Sequence, residues 1–114
     1  MRGVDKLKGV KQPLISLAYD LDKVMQQKYG IEVTVAEGLR TLERQKQLVK
    51  EKKSKTLNSR HLSGDAIDIY PVACGKILWD KFDILIKEAK ALNSKDFTYG
   101  YDWGWDKPHI EIKK

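Results

Sequence analysis

Residues 59–68 read Ser-Arg-His-Leu-Ser-Gly-Asp-Ala-Ile-Asp, and this stretch contains both a turn and the start of a strand. Gly64 marks the turn, because glycine is the residue that most readily reverses the chain. From residue 65 to residue 72 the chain alternates polar and apolar side chains, which predicts a half-buried strand. Asp68 then lies on the face opposite the two isoleucines, pointing away from the core. The turn can therefore bring His61 and Asp68 to one point.

The chain has two histidines, and the second follows far downstream in the segment Asp106-Lys107-Pro108-His109. Residues 109–112 alternate again, so a strand there places His109 and Glu111 on one face. Two neutral imidazoles and one carboxylate are a typical ligand set for a catalytic zinc ion, whose fourth position stays open to water. The predicted ligands are His61, Asp68 and His109.

Three further carboxylates lie near these ligands in the sequence. Asp106 is placed to act as a general base on a water beside the ion without being a ligand. Glu111 suits a supporting role, since a ligating histidine usually needs a partner for its second ring nitrogen. Asp65 lies on the other parity of its strand and ranks below Asp68 as a ligand. Spacing alone leaves open an ordinary surface or capping role for each histidine.

The rest of the chain predicts three helices interleaved with short strands. An apolar stripe at helical spacing runs from Leu14 to Met25, with Gly30 as its stop, and a strand follows at residues 31–35. The second helix begins at Thr41 as its N-cap, and the third covers residues 79–92. The third helix has a predicted buried set of Phe82, Ile84, Leu85, Ile86, Ala89 and Leu92. Together with the aromatic-rich carboxyl-terminal section, this order indicates an α+β fold.

The composition narrows the function classes. The chain has 114 residues, one cysteine (Cys74) and a net charge of +6, so we expect one domain without an internal disulfide and a general preference for anionic partners. No nucleic-acid motif accompanies the lysines, and we expect no nucleic-acid partner. No apolar run reaches the roughly 18–20 residues of a membrane span. The amino terminus lacks a secretory signal, so we expect synthesis in the cytoplasm.

Two separated motifs resemble a known family. Together they read Ser59-x-His61-x-x-Gly64-x-Ala66-x-Asp68 and Asp106-x-x-His109, similar to the signature of the zinc D-alanyl-D-alanine peptidases. Residues 37–41 (Glu-Gly-Leu-Arg-Thr) are similar to that family's Gly-x-Arg-[Ser/Thr] element. Within the family, phage and prophage L-alanyl-D-glutamate endopeptidases of the endolysin type resemble the chain most. The resemblance implies the fold of the Hedgehog signalling domain and the DD-peptidases, an antiparallel sheet with helices packed on it.

The resemblance also implies residue roles. It makes the three predicted ligands the holders of one Zn²⁺ ion and Asp106 the catalytic base. Arg40 would bind the scissile carbonyl and stabilise the oxyanion, since a cation aimed at developing negative charge is an effective catalytic device. Ser59 would orient His61 or the substrate. Tyr99, Tyr101, Trp103 and Trp105 are candidate pocket residues, for which packing in the core is the alternative.

The implied activity is hydrolysis of an amide in the peptide stem of peptidoglycan, with the L-alanyl-D-glutamate bond as the expected target. The implied enzyme is a monomer of residues 1–114 without a separate wall-binding domain. It would act at the cell wall or in the periplasm after release, with a holin-type partner. Three alternatives stay open: a D-Ala-D-Ala carboxypeptidase or dipeptidase, a non-catalytic Hedgehog-like binding module, and a small basic nucleic-acid binder.

Overall fold

The structure is a computed structural model that describes residues 1–39, 41–52 and 60–113. The described part contains three α-helices, five β-strands and four short 3-10 turns. The helices are α1 (Gln12–Tyr29), α2 (Leu42–Lys50) and α3 (Phe82–Leu92). The strands are β1 (Glu32–Glu37), β2 (Ala66–Ala73), β3 (Lys76–Ile77), β4 (Phe97–Tyr99) and β5 (His109–Ile112). None of the described helices is both long and apolar enough to cross a membrane.

The strands form one antiparallel sheet in the order β1-β2-β5-β4, with β3 added beside β2. Side chains alternate between its two faces. One face is apolar and packs against α1 and α3; its fully buried members are Val33, Val35, Ile67, Ile69 and Ile110. The other face carries Asp68 and His109, which are directly paired across β2 and β5. The core and the polar site therefore lie on opposite sides of the same sheet.

Helix α1 forms as the apolar stripe predicts. Pro13 lies in its first turn, where the missing N–H costs nothing, and Gly30 ends it in the left-handed conformation at φ 67°. Leu14, Ala18, Leu21 and Met25 are fully buried, whereas Val24 at the edge of the stripe is half-buried. Thr41 is the N-cap of α2 as predicted, because its hydroxyl accepts a hydrogen bond from the Arg44 amide at 3.1 Å.

The third helix differs from its prediction. Residues Trp79–Lys81 form a 3-10 turn, and the α-helix begins only at Phe82. Its core-facing residues include Phe82, Leu85, Ile86 and Ala89 at helical spacing. Ile84 is half-buried and packs against the core, so its predicted burial holds in part. Leu92, the last residue of the helix, is 41% exposed, so its predicted burial was wrong.

Candidate metal centre

His61 lies in a 3-10 turn (Arg60–Ser63) that leads into β2, and it is almost completely buried. Its Nδ1 atom is 2.9 Å from the Gly38 carbonyl oxygen. A carbonyl only accepts, so Nδ1 holds the proton and Nε2 is left with its lone pair. Gly38 itself must be a glycine, because a Cβ atom there would lie 1.7 Å from the Lys6 carbonyl oxygen. The turn after β1 is thereby pressed against the amino-terminal segment and fixes the imidazole.

His109 begins β5, and its two ring nitrogens face different carboxylates. Nε2 is 2.8 Å from the Glu111 carboxylate, two residues further along the same strand face. Because that carboxylate accepts, Nε2 carries the proton. Nδ1 then points at Asp68, whose Oδ1 atom is 3.2 Å away. This confirms the predicted shared face of His109 and Glu111.

Asp68 stands between the two imidazoles on the central strand β2. Its Oδ1 atom is 3.3 Å from His61 Nε2 and 3.2 Å from His109 Nδ1. Burial by itself raises the pKa of Asp68, but hydrogen bonds and charge from His109 and His61 in their protonated forms outweigh it and hold the pKa well below its ordinary value. The carboxylate is therefore ionised, which is the form that a metal requires.

The structure brings the three predicted ligands together. One ligand atom from each of His61, Asp68 and His109 lies within 4.8 Å of the others. Both histidines have their second nitrogen held by an acceptor, as ligating histidines usually do. This donor set fits zinc, which takes imidazole nitrogen and carboxylate oxygen and leaves a position open in catalytic sites. Asp65 is engaged instead with the Ser63 hydroxyl at 2.7 Å, in agreement with its lower rank.

Asp106 lies beside this cluster. Its Oδ2 atom is 3.8 Å from His109 Nδ1, beyond hydrogen-bond distance, and its side chain is partly exposed. Gly100 allows this approach, because a Cβ atom there would lie 2.2 Å from the Asp106 carbonyl oxygen. Burial lowers the pKa of His109, but Asp68, Glu111 and Asp106 outweigh it and raise the pKa above its usual value. The site thus consists of two imidazoles surrounded by carboxylates.

Two polar residues on the same sheet face were not singled out as functional from the sequence. Glu37 is paired directly across the sheet with Asp68, and its carboxylate is 4.0 Å from Arg44 Nε. Tyr70 follows Asp68 by two residues; burial raises its pKa, and the charges of Asp68, Asp106 and Glu37 raise it further. The alternation of side chains along β2 predicts that Tyr70 shares a face with Asp68. The position of Glu37 on that face cannot be predicted in the same way, because it results from an irregularity in β1.

Other predicted site residues divide into two groups. Arg40 and Ser59 lie outside the described residues. The indole ring of Trp103 is 5.3 Å from the His109 ring, and Trp105 stacks on Trp103 at 5.5 Å. Trp103 is 39% exposed and Trp105 73% exposed, so neither is packed in the core. Tyr99, by contrast, is a core residue.

Comparison with known proteins gives consistent results. Residues 1–112 match the family of phage L-alanyl-D-glutamate peptidases. The L-alanyl-D-glutamate peptidase of Listeria phage A118 is 38% identical over 91 residues, which cover 73% of this chain but 31% of that protein. The chain therefore spans about a third of the length of that curated relative.

Solved structures share the fold. The Serratia marcescens L-Ala D-Glu endopeptidase ChiX superposes with a TM-score of 0.75 at 26% identity, over 99% of this chain and 90% of that one. The vancomycin resistance D,D-pentapeptidase VanY, solved with Zn(II), gives a TM-score of 0.66 at 20% identity, over 90% of this chain and 72% of that one. At that identity the second likeness concerns the fold alone. The predicted α+β fold of the DD-peptidase type is confirmed.

Proposed function

The chain belongs to the phage L-alanyl-D-glutamate peptidase family, and we propose that it is a zinc-dependent peptidase that hydrolyses the L-alanyl-D-glutamate amide in the peptide stem of peptidoglycan. The observation that carries this proposal is the convergence of His61, Asp68 and His109 within 4.8 Å. In both histidines one ring nitrogen is held by an acceptor while the other faces the Asp68 carboxylate, which is the arrangement that ligating histidines usually have.

The three residues would hold one zinc ion through His61 Nε2, His109 Nδ1 and an Asp68 carboxylate oxygen. When bound, zinc supplies Lewis-acid chemistry, which polarises a carbonyl and lowers the pKa of water to about 7. Gly38 and Glu111 keep the two imidazoles in the tautomers that leave these atoms free of protons. The protein thus fixes the ligand geometry before any metal arrives.

Asp106 is proposed as the general base. It stands near the ligands without sharing their short contacts, and its side chain is partly exposed, so a water can reach it. In the reaction its carboxylate takes a proton from the attacking water and returns it to the leaving amine. The new carboxylate forms on L-alanine and the new amine on D-glutamate.

Arg40 is proposed to bind the scissile carbonyl oxygen and to balance the negative charge that develops there. In the sequence it follows Gly38, whose carbonyl contacts His61, by two residues and directly precedes the N-cap Thr41. Ser59 is proposed as a helper of His61 or of the substrate.

We also propose a domain organisation, a site of action and a partner for the protein. Residues 1–114 would act as one monomeric catalytic domain at the cell wall, reached after synthesis in the cytoplasm and release through a holin-type partner. The family match favours the L-alanyl-D-glutamate bond over the terminal D-Ala-D-Ala bond, since the likeness to D,D-peptidases concerns the fold.

Incubation with purified peptidoglycan tests the proposal directly. We expect new D-glutamate amino termini in the fragments by mass spectrometry, loss of cleavage with a chelator, and recovery with added zinc. Release of free D-alanine would replace the proposed bond with the carboxypeptidase alternative. No cleavage under any metal would favour the non-catalytic binding module, and salt-dependent DNA binding without zinc would favour the nucleic-acid binder.

A further inference from the structure

The aromatic rings beside the metal centre form a stack that runs from the site into solvent. Trp103 packs on His109 with ring centres 5.3 Å apart and planes tilted by 35°. Trp105 stacks on Trp103 with ring centres 5.5 Å apart and planes 28° apart. The outer indole is 73% exposed. Together the two indoles make an apolar surface continuous with the site.

An exposed tryptophan on its own says little, because apolar atoms cover much of any protein surface. Two adjacent indoles in ring-on-ring contact form a contiguous patch at the rim of a candidate active site, and such patches mark binding sites. Indoles suit this role because they combine a flat apolar face with an N–H donor at the edge.

The sheet order places this stack on one side of the metal centre. Asp68 is paired with Glu37 of β1 on one side and with His109 of β5 on the other. Arg44 of α2 lies 4.0 Å from Glu37 at the end of β1, whereas Trp103, in the 3-10 turn that precedes β5, packs on His109. The stack and α2 therefore flank the ligands from opposite directions.

The charges on these two sides differ. Helix α2 carries Arg44, Lys46 and Lys50 against Glu43, and Glu37 on the same side lies 4.0 Å from Arg44, which leaves one net positive charge among these five residues. On the side of the stack lie the carboxylates of Asp106 and Glu111, both within 4 Å of His109, and the nearby Lys90 is paired with Asp102 at 2.6 Å. An anionic group is thus attracted towards α2 and repelled from the stack.

The proposed substrate has a matching asymmetry. On the carboxyl side of the scissile amide lies D-glutamate, which has a free carboxylate and continues into the acidic stem. On the amino side lies L-alanine, which is joined through a lactyl group to the sugar N-acetylmuramic acid and bears no charge there. Charge complementarity orients the D-glutamate side towards α2 and the sugar side towards the stack.

The length of the stack suits this orientation. L-Alanine spans about 3.5 Å, so the sugar begins one residue and a short linker from the scissile bond. Two ring-to-ring steps of 5.3 and 5.5 Å lead from His109 to Trp105. This separation is comparable to the one between the scissile bond and the sugar ring. A pyranose has apolar C–H faces and polar edges, which complement an indole face.

We propose that the Trp103–Trp105 stack is a saccharide subsite that binds the N-acetylmuramyl ring of a glycan-linked stem, with Trp105 as a residue that determines specificity. This rests on the proposed function, because it takes the amide next to the sugar as the bond cleaved. Trp105 is the residue to test, since Trp103 also contacts the metal ligand His109.

The experiment compares two soluble substrates for the zinc-loaded protein. One is a stem peptide linked to N-acetylmuramic acid, and the other is the same peptide with only an acetyl group on L-alanine, so that both carry an uncharged amide there. We expect Trp105→Ala to lower kcat/KM about tenfold more on the sugar-linked substrate than on the acetylated peptide, because only the former loses an aromatic contact and its buried area. Trp105→Phe, which keeps a ring, should retain most of the activity.

Tyr19→Ala is the matched control, because Tyr19 is an exposed aromatic residue on α1, on the opposite face of the sheet. It should change neither rate. Equal loss on both substrates, or no loss on either, in Trp105→Ala with normal zinc content would overturn the saccharide subsite while leaving the peptidase function intact. If the wild type cleaves neither substrate, the proposed function fails. In that event, quenching of tryptophan fluorescence by N-acetylmuramyl-L-alanyl-D-glutamate still decides the subsite, and absence of binding overturns it.

Discussion

At the scale of single residues, the two ring nitrogens of each histidine in the site have different partners. Each histidine gives one nitrogen to an outside acceptor, Gly38 for His61 and Glu111 for His109, and turns the other towards Asp68. The sequence predicted the Glu111 contact, because residues two apart on a strand share a face. It could not predict the Gly38 contact, since that carbonyl comes from a segment 23 residues away and backbone groups leave no mark on residue type.

Asp106→Asn tests the proposed role of Asp106 as the general base. The amide keeps the size of the side chain but cannot take a proton, so we expect kcat to fall by about 100-fold or more while zinc content stays at one ion per chain. Asp65→Asn is the matched control, because Asp65 is an acid beside the site that bonds Ser63 instead. Peptidoglycan hydrolysis and metal analysis of both variants give the answer; undiminished hydrolysis in Asp106→Asn would remove the acid from the mechanism.

At the scale of elements, most of the fold follows from periodicity, and the exceptions have identifiable causes. The alternation of β2 placed Asp68 opposite the core correctly, whereas Tyr70, which has the same parity, also packs its ring against the core residue Phe82. In β1 the same rule puts Glu37 in the core with Val33 and Val35, yet Glu37 is paired with Asp68, because the register shifts between Val35 and Glu37. A bulge adds one residue to one strand and turns the following side chain to the other face. No composition rule marks this bulge, so Glu37 was missed as a site residue.

Gly38→Ala tests how the end of β1 supports the site. The new Cβ atom would lie 1.7 Å from the Lys6 carbonyl oxygen, so the turn must move and take the Gly38 carbonyl away from His61. We expect a loss of about 1–3 kcal/mol in the free energy of unfolding together with weaker zinc binding in chelator competition. Gly75→Ala is the control, because a Cβ atom there meets nothing within 4 Å although φ is +74°. It should cost about 1–2 kcal/mol for the left-handed conformation and leave zinc affinity unchanged; equal zinc affinity in both variants would contradict the support role.

Tyr99 connects β4 to the end of α3. Its buried hydroxyl lies within hydrogen-bond distance of the Ala89 carbonyl at 3.2 Å and also bonds the Asn93 carbonyl. Burial, followed by the charge of Asp102, raises the pKa of Tyr99 to about 12, against about 10 in an unfolded chain. The folded state therefore holds its proton more tightly, and the resulting stability is complete below pH 10 and is lost as the pH rises from about 10 to about 12.

Tyr99→Phe should remove this alkaline loss. At pH 8 we expect the variant to be less stable than the wild type by about 1 kcal/mol, because the helix-end carbonyls lose a donor. Between pH 10 and pH 12 the difference should shrink and then reverse, because the phenol ionises in the unfolded wild type while it stays protonated in the folded one, and two pKa units correspond to about 2.7 kcal/mol. Urea denaturation of both proteins across this range measures the difference, and lysine titration cancels in the comparison. A constant difference from pH 8 to pH 12 would show that the Tyr99 pKa is not raised.

At the scale of the whole molecule, the candidate metal centre joins segments that are distant in sequence. Asp68 and His109 are 41 residues apart, and His61 stands in the turn before β2, so the three ligands join that turn, the central strand and the last strand. A metal that binds only the folded arrangement stabilises it by mass action, by about 4 kcal/mol when zinc is at a thousand times its Kd. For a chain of this size each kcal/mol raises the Tm by about 4 °C.

Chelation should therefore lower the Tm by on the order of 10 °C or more, and added zinc should restore it. His61→Ala removes one ligand, and we expect its Tm to be insensitive to both treatments. Asp106→Asn is the contrasting variant: it lacks the proposed base but keeps all three ligands, so its Tm should respond to zinc as the wild type does. Differential scanning calorimetry of the three proteins separates metal binding from catalysis. A wild-type Tm that does not change with zinc would mean that His61, Asp68 and His109 do not hold the ion in solution.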